Sequence, residues 1–180
     1  MKKNRRVILG VTGSIAAYKA CEITSLLRKA GLEVQVLLTE EAKEFVTPLT
    51  LQTLSGNRVI TDMFDSPEEW DPVHTSLADS ASIVLIAPAT ANIIGKLACG
   101  ICDDILSCVV MATRAPVLIA PAMNDKMYTH DIVQENIAKL KRTGYKFVGP
   151  VKGRLACGYE GMGCLADAQA IANEAKRLLK

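Results

Sequence analysis

Four side chains in this sequence have the chemistry to handle a small polar molecule: the imidazole of His74, the carboxamides of Asn92 and Asn124, and the thiol of Cys157. The two asparagines are tied to a repeat. The string Val-Leu-Ile-Ala-Pro-Ala occurs at Val84–Ala89 and again 33 residues later at Val117–Ala122, and an asparagine follows each copy closely. That spacing is about the length of one β-α-β unit. A β-branched apolar run ended by Ala-Pro-Ala reads as a strand buried on both faces and cut off abruptly, because proline has no N–H to continue the ladder. Two such strands in parallel bring both asparagines to the carboxyl edge of one sheet, where open α/β sheets bind ligands. A carboxamide there donates to a carboxylate or a ring carbonyl without adding net charge. It also serves, more simply, as turn chemistry at a helix start.

The other groups sit in loops. His74 follows Trp70-Asp71-Pro72-Val73 just before a helix and is one of only two histidines, the other being His130. It reads as an acid, base or carboxylate contact, or as an ordinary structural histidine. Cys157 lies in Gly153-Arg-Leu-Ala-Cys-Gly-Tyr-Glu-Gly-Met-Gly163, whose glycines suggest either a mobile flap or a plain surface loop. A thiol there is accessible in a way that one on a helix is not. Gly10-Val-Thr-Gly-Ser-Ile-Ala-Ala is neither a dinucleotide fingerprint nor a Walker loop. Its place between a strand and a helix still suits it to an anion, with Ser14 and neighbouring Thr39 adding hydroxyls, or to a simple capped turn. Val36-Leu-Leu-Thr39 offers no carboxylate for a ribose, which argues against NAD and for a mononucleotide such as FMN.

These groups need a scaffold, and the chain supplies one. Strands are expected at Arg6–Val11, Glu33–Leu38, Ile83–Ala87, Pro116–Ala120 and Tyr145–Val148. Helices are expected at Ile15–Ala30, from Thr39 as N-cap to about Phe45, over Leu49–Leu54, briefly within Thr75–Ala81, and at Ala91–Cys99, Asp104–Thr113, His130–Thr143 and Leu165–Leu179. Pro67 and Pro72 mark a loop, and Lys152–Gly163 reads as a glycine-rich loop. The β-α alternation predicts one domain over residues 1–180, a doubly wound parallel sheet (Rossmann/flavodoxin-like) flanked by helices. The composition agrees, being 49% hydrophobic but only 4% aromatic, as aliphatic-rich parallel sheets are.

The formal charge of +2 and the scattered basic residues imply no nucleic-acid partner. The run Lys2-Lys3-Asn4-Arg5-Arg6 reads as a solvated end. No stretch approaches the roughly 18 apolar residues of a membrane span, and no signal peptide precedes the first strand, so a cytoplasmic protein is expected. The six cysteines should then be thiols. Cys99-Gly-Ile-Cys102 has metal-like spacing but no second pair, and no metal site is expected.

Taken together, these motifs resemble the homo-oligomeric flavin-containing cysteine decarboxylases. Gly13-Ser-Ile-Ala-Ala-Tyr-Lys19 is similar to the family's opening motif, His74 to its essential histidine, and Pro88-Ala-Thr-Ala-Asn92 to a Pro-Ala-Ser-Ala-Asn motif with threonine for serine. Pro121-Ala-Met-Asn124 matches its second motif, and Leu155-Ala-Cys-Gly-Tyr-Glu-Gly-Met-Gly163 looks like its substrate clamp. The likeness runs from about Val7 to Asp167 and departs at Cys164-Leu165, where many relatives carry Arg-Met.

The resemblance implies FMN as cofactor and, as activity, decarboxylation of 4′-phosphopantothenoylcysteine to 4′-phosphopantetheine in coenzyme A biosynthesis. FMN would oxidise the CH₂–SH group to a thioaldehyde, an electron sink that lets CO₂ depart, and would later return the hydride. It implies that Gly13, Ser14, Ile15 and Thr39 hold the FMN phosphate and that Pro88, Ala89, Thr90 and Asn92 meet the flavin ring. Asn124 would anchor the substrate carboxylate, with Met123, Ala156 and Gly158 also binding substrate. His74 would assist oxidation and decarboxylation, and Cys157 would supply the final proton from a flexible clamp over residues 153–164. A homotrimer or dodecamer is implied, as is a phosphopantothenate–cysteine ligase upstream, fused in many bacteria. The alternatives are a peptidyl-cysteine decarboxylase, the flavin prenyltransferase branch of the fold, and a non-catalytic flavoprotein-like regulatory subunit.

Overall fold

The computed structural model describes residues 5–64 and 73–179. The loop expected around Pro67 and Pro72, the residues Trp70 to Pro72, and the basic residues Lys2 and Lys3 lie outside them. Five strands form one parallel sheet: β1 (Arg6–Val11), β2 (Glu33–Leu38), β3 (Ile83–Ala89), β4 (Val117–Pro121) and β5 (Lys146–Phe147), in the order β2-β1-β3-β4-β5. This is the doubly wound arrangement, in which the chain reverses its direction of winding between β1 and β3 and opens a crevice at their carboxyl ends.

The sheet is covered on both faces. On one lie α1 (Lys19–Lys29), α2 (Pro48–Ser55) and α8 (Ala168–Leu178). On the other lie α3 (Val73–Ser80), α4 (Ala91–Cys99), α5 (Ile105–Ala112) and α7 (Asp131–Arg142). β3 shows why this needs a continuous apolar strand. Ile83, Leu85 and Ala87 pack into the first layer while Val84, Ile86 and Ala89 pack into the second. Each fully buried branched side chain contributes about 1.5–3 kcal/mol of hydrophobic stabilisation.

The helix ends follow their local sequence. Asp104 caps α5 through a reciprocal capping box with Ser107, and the Asp167 carboxylate accepts the Gln169 and Ala170 N–H groups at the start of α8. Among the described residues no helix is long and apolar enough to cross a membrane. All six cysteines are free thiols.

Four sequence expectations change, the first being that the segment expected as a helix from Thr39 to about Phe45 is a 3₁₀ turn, Glu40–Glu44. The helix expected from Ile15 begins as a 3₁₀ turn, Ile15–Tyr18, because Ser14 closes a tight bend. The strand expected to stop at Ala87 runs on through Pro88 to Ala89. Proline is tolerated there because the sheet irregularity between Ile86 and Ala89 leaves that position out of the ladder. The Lys152–Gly163 loop is a β-hairpin: β6 (Val151–Arg154) pairs antiparallel with β7 (Glu160–Cys164). Gly153, Gly161 and Gly163 sit in its strands and permit close packing, while Gly158 lies in its exposed turn with a positive φ.

Candidate active site

A cavity of about 820 Å³ opens at the carboxyl edge of the sheet, large for a single ligand site and roomy enough for two small molecules side by side. Its floor is the loop after β1 (Thr12 to Ala16), Thr39 after β2, Thr90 to Ile93 after β3, and Ala122 to Asn124 after β4. The β6–β7 hairpin forms one wall through Arg154 to Cys157 and Gly163 to Leu165.

The twin strands lie side by side. Val84 pairs with Val117, Leu85 with Leu118 and Ile86 with Ile119, after which the register shifts so that Ala89 meets Pro121. The shift separates the fates of the two asparagines. Asn92 falls within the first turn of α4, exposed at the cavity, while Thr90 takes the N-cap position and accepts the Ile93 N–H. Asn124 is itself the N-cap of a short helix, α6 (Asp125–Tyr128), its Oδ1 accepting the Lys126 N–H at 2.9 Å. Turn chemistry and ligand chemistry are thus not exclusive here: the oxygen caps, and the Nδ2 hydrogens remain for other work.

The phosphate-sized end of the cavity is built from hydroxyls and backbone. Ser14 Oγ accepts the Ala16 N–H at 3.3 Å, and a side chain on Gly13 would put its Cβ 2.5 Å from that of Glu41. The first loop must therefore be glycine at this point to lie against the chain that follows β2. Thr39 Oγ1 is buried and has no hydrogen-bond partner. It occupies an N-cap position without making the cap bond that its sequence suggests. An unsatisfied buried hydroxyl costs about 1–3 kcal/mol, and an anionic oxygen entering the cavity would remove that cost. This orphaned donor, beside a glycine loop and a serine, fits the phosphate of a mononucleotide.

Thr12 was not singled out in the sequence. Its buried hydroxyl donates to the Pro88 carbonyl at 2.8 Å and accepts the Thr90 N–H at 3.1 Å. It ties the loops after β1 and β3 into one rigid rim. The only sequence signal was a hydroxyl residue at the end of a buried strand.

At the opposite end, the hairpin tip meets Asn124. The Asn124 Nδ2 donates to Cys157 Sγ at 3.3 Å and to the Tyr159 hydroxyl at 3.2 Å, and Tyr159 donates in turn to Asp125 Oδ1 at 2.6 Å. The Asp125 carboxylate, by accepting that hydrogen bond, pushes the Tyr159 phenol up to about 12. The hairpin is docked at its base too: the Met123 N–H donates to the Gly163 carbonyl at 3.0 Å, and a Cβ on Gly163 would lie 2.1 Å from the Met123 oxygen. Tyr159 and Asp125 are further residues the sequence did not reveal as partners, since 34 positions separate them.

The structure thus brings together Gly13, Ser14, Ile15, Thr39, Thr90, Asn92, Met123, Asn124, Ala156 and Cys157 around one cavity. It does not bring all the expected residues there. Pro88 and Ala89 are buried in the sheet below the rim, and Gly158 lies in the exposed hairpin turn outside the lining. His74 is half-buried in the first turn of α3 and, among the described residues, neither lines the cavity nor makes a hydrogen bond. Tyr18, Lys19 and Met127 line it without having been named as site residues, and Arg154 lines it from within the expected clamp.

One acidic lining residue is already spoken for. Burial alone would raise the Asp104 carboxyl, but the Ser107 N–H and the Lys96 ammonium at 2.9 Å outweigh it and hold Asp104 below its ordinary range. Lys96 also pairs with Asp103 at 2.7 Å. The free cations on the cavity wall are Lys19 and Arg154, for which the described residues provide no ion-pair partner.

The flavoprotein family profile matches residues 1–180. The chain is 49% identical over 177 residues to a protein of Bacillus subtilis (strain 168) named coenzyme A biosynthesis bifunctional protein CoaBC, covering 98% of this chain but 44% of that protein. The chain therefore spans less than half the length of that relative. It is 45% identical over 169 residues to a probable phosphopantothenoylcysteine decarboxylase of Streptococcus mutans, covering 93% of this chain and 94% of the relative. Among solved structures, a cysteine-to-serine mutant of PPC decarboxylase complexed with pantothenoylaminoethenethiol superimposes with a TM-score of 0.86 at 29% identity, over 97% of each chain. The FMN-dependent cysteine decarboxylase SpaF superimposes with a TM-score of 0.85 at 31% identity, over 99% of each chain.

Proposed function

This chain belongs to the flavoprotein family, and we propose that within it the chain is the FMN-dependent decarboxylase converting 4′-phosphopantothenoylcysteine to 4′-phosphopantetheine. The observation that carries the reading is the 3.3 Å contact between Asn124 Nδ2 and Cys157 Sγ on the wall of the cavity. It puts a hydrogen-bond donor for the substrate carboxylate beside a thiol that can give the product its last proton, so the groups for the first and last stages of replacing CO₂ by hydrogen share one spot. The names of the matched relatives support the substrate, and the solved cysteine-to-serine mutant with an aminoethenethiol bound supports a role for a cysteine after CO₂ has left.

FMN, when bound, supplies a reversible two-electron acceptor, so a thiocarbonyl sink can be raised beside the carboxylate and removed again. Gly13, Ser14 and Thr39 hold its phosphate, and Thr90 and Asn92 meet its ring. The chain's own residues do the rest. Asn124 orients the carboxylate through its Nδ2 hydrogens. Both hydrogens are engaged by Cys157 and Tyr159, so the carboxylate must take one of them over. As CO₂ departs, the electron pair of the broken C–C bond moves into the thiocarbonyl and leaves an enethiolate. The hairpin keeps water from the thioaldehyde. Cys157 Sγ–H then gives a proton to the product carbon and recovers one from solvent, to which it is exposed.

We further infer that the working form is a homotrimer, or a dodecamer of four trimers, in which His74 enters the site of a second copy. What supports this is that His74 does not line its own chain's cavity, while Ile15 (60% exposed), Tyr18 (59%) and Met127 (49%) surround the mouth with uncovered apolar surface. The enzyme works in the cytoplasm, where its thiols stay reduced, downstream of the ligase that joins cysteine to phosphopantothenate.

The test is an absorption spectrum of the purified protein followed by substrate addition under mass spectrometry. A flavin spectrum, CO₂ release from phosphopantothenoylcysteine and no turnover of a peptide ending in cysteine are expected. Cys157→Ser should release CO₂ yet stall at the unreduced enethiol. A yellow protein that turns over the peptide and not the pantothenoyl substrate sinks the assignment.

A further inference from the structure

Asn124 and Cys157 lie on different elements, and their 3.3 Å contact needs something to hold it. The hairpin turn Leu155-Ala-Cys-Gly-Tyr159 is closed internally by two backbone bonds, from the Leu155 N–H to the Tyr159 carbonyl and from the Gly158 N–H to the Leu155 carbonyl, each 2.9 Å. These shape the turn but do not fix where it points. Leu155 is buried and anchors one side of the turn, whereas Ala156, Cys157 and Gly158 are exposed. On the other side, besides Cys157 itself, the tip side chain that reaches the loop after β4 is Tyr159.

We propose that Tyr159 is a positioning residue, a latch that binds Asp125 at the start of α6 and thereby holds Cys157 against Asn124 throughout turnover. The hydroxyl makes two bonds of different kinds. It accepts from Asn124 at 3.2 Å and donates to Asp125 at 2.6 Å. The first competes with ligand, because each hydrogen of the Asn124 amide serves one acceptor at a time. The second does not, since it uses the hydroxyl's own proton and a carboxylate that ligand does not need. When a substrate carboxylate takes over the Asn124 hydrogen, Tyr159 therefore remains tied to Asp125, and the thiol stays within reach of the product carbon. The phenol, raised to about 12, keeps the proton this bond depends on across neutral and moderately alkaline pH.

The inference rests on the proposed decarboxylase reading for its kinetic consequence but not for its structural one, and the experiment has an arm for each. Hydrogen exchange of the ligand-free protein reads the latch without any reaction. In Tyr159→Phe the Leu155 and Gly158 amides should exchange at least tenfold faster, with α4, α7 and α8 unchanged. Asp125→Ala, which leaves the ring and the backbone in place, should do the same, and the double variant should be no worse than either single one. In turnover, Tyr159→Phe should bind FMN as the wild type does, with KM within about threefold. The share of turnovers ending as unreduced enethiol should rise fivefold or more, part of the way to Cys157→Ser. Exchange at the tip within twofold of wild type in both single variants overturns the latch. So does faster exchange with the product ratio unmoved, which would make Tyr159 merely structural. A wild-type protein that releases no CO₂ removes the decarboxylase reading instead, and the exchange arm then decides the latch alone.

Discussion

At the scale of single residues, the site is governed by which hydrogen-bonding groups are already satisfied. Asn124 spends its oxygen on the Lys126 N–H and both amide hydrogens on Cys157 and Tyr159, so any ligand must compete for it. Thr39 is the reverse case, a buried hydroxyl with nothing to bond. If that hydroxyl meets the FMN phosphate, Thr39→Val should weaken FMN binding about tenfold, the effect of losing one hydrogen bond to a charged group. It should leave the apoprotein no less stable, because the orphaned donor is a liability there. Titrating the variant with FMN by fluorescence quenching, alongside thermal melts of the apoprotein, checks both halves. The asparagines, the cysteine and the threonine were all legible as chemistry from their types and places. Whether each was free was not, since satisfaction depends on partners brought in by the fold: Tyr159 and Asp125 are 34 residues apart.

At the scale of elements, the hairpin is the part whose strand pairing the sequence does not reveal. Its glycines look like a recipe for mobility, yet at Gly163 the absence of a side chain serves contact. The Met123 carbonyl lies 2.1 Å from where a Cβ would be, and the Met123 N–H bonds the Gly163 carbonyl. Gly163→Ala should therefore push β7 away from the loop after β4 and cost roughly 1–3 kcal/mol, as overpacking does. A lowered Tm together with faster exchange of the Met123 amide would bear this out, and an unchanged melt would argue that the hairpin yields freely. The strands and long helices were far easier to read. A run such as Ile83-Val-Leu-Ile-Ala has no stable place except inside a covered sheet, and Asp104 and Asp167 cap their helices by local geometry alone.

At the scale of the whole molecule, the proposed site has one member that its own chain does not bring to the cavity. Asn124 and Cys157 meet within it, but His74 stands on α3, away from the cavity. If a second copy supplies it, two inactive variants should rescue each other. Mixing His74→Asn with Cys157→Ser after reversible dissociation should restore about a quarter of wild-type activity, since random pairing leaves that share of shared sites with both wild-type groups. A site built within one chain would stay inactive in the mixture, and size-exclusion chromatography with light scattering gives the oligomer directly. By itself the sequence determined the strands, the helices, the sheet class and the cast of reactive residues. These follow from residue type, periodicity and capping over short spans, where the chain's covalent geometry does the positioning. The tertiary structure alone decided that the twin Val-Leu-Ile-Ala-Pro-Ala strands are neighbours in register, that a shift after Ile86 gives their asparagines different surroundings, and that the glycine-rich segment is a docked hairpin. Those outcomes depend on contacts between segments distant along the chain, and no local pattern records which groups will meet when it closes.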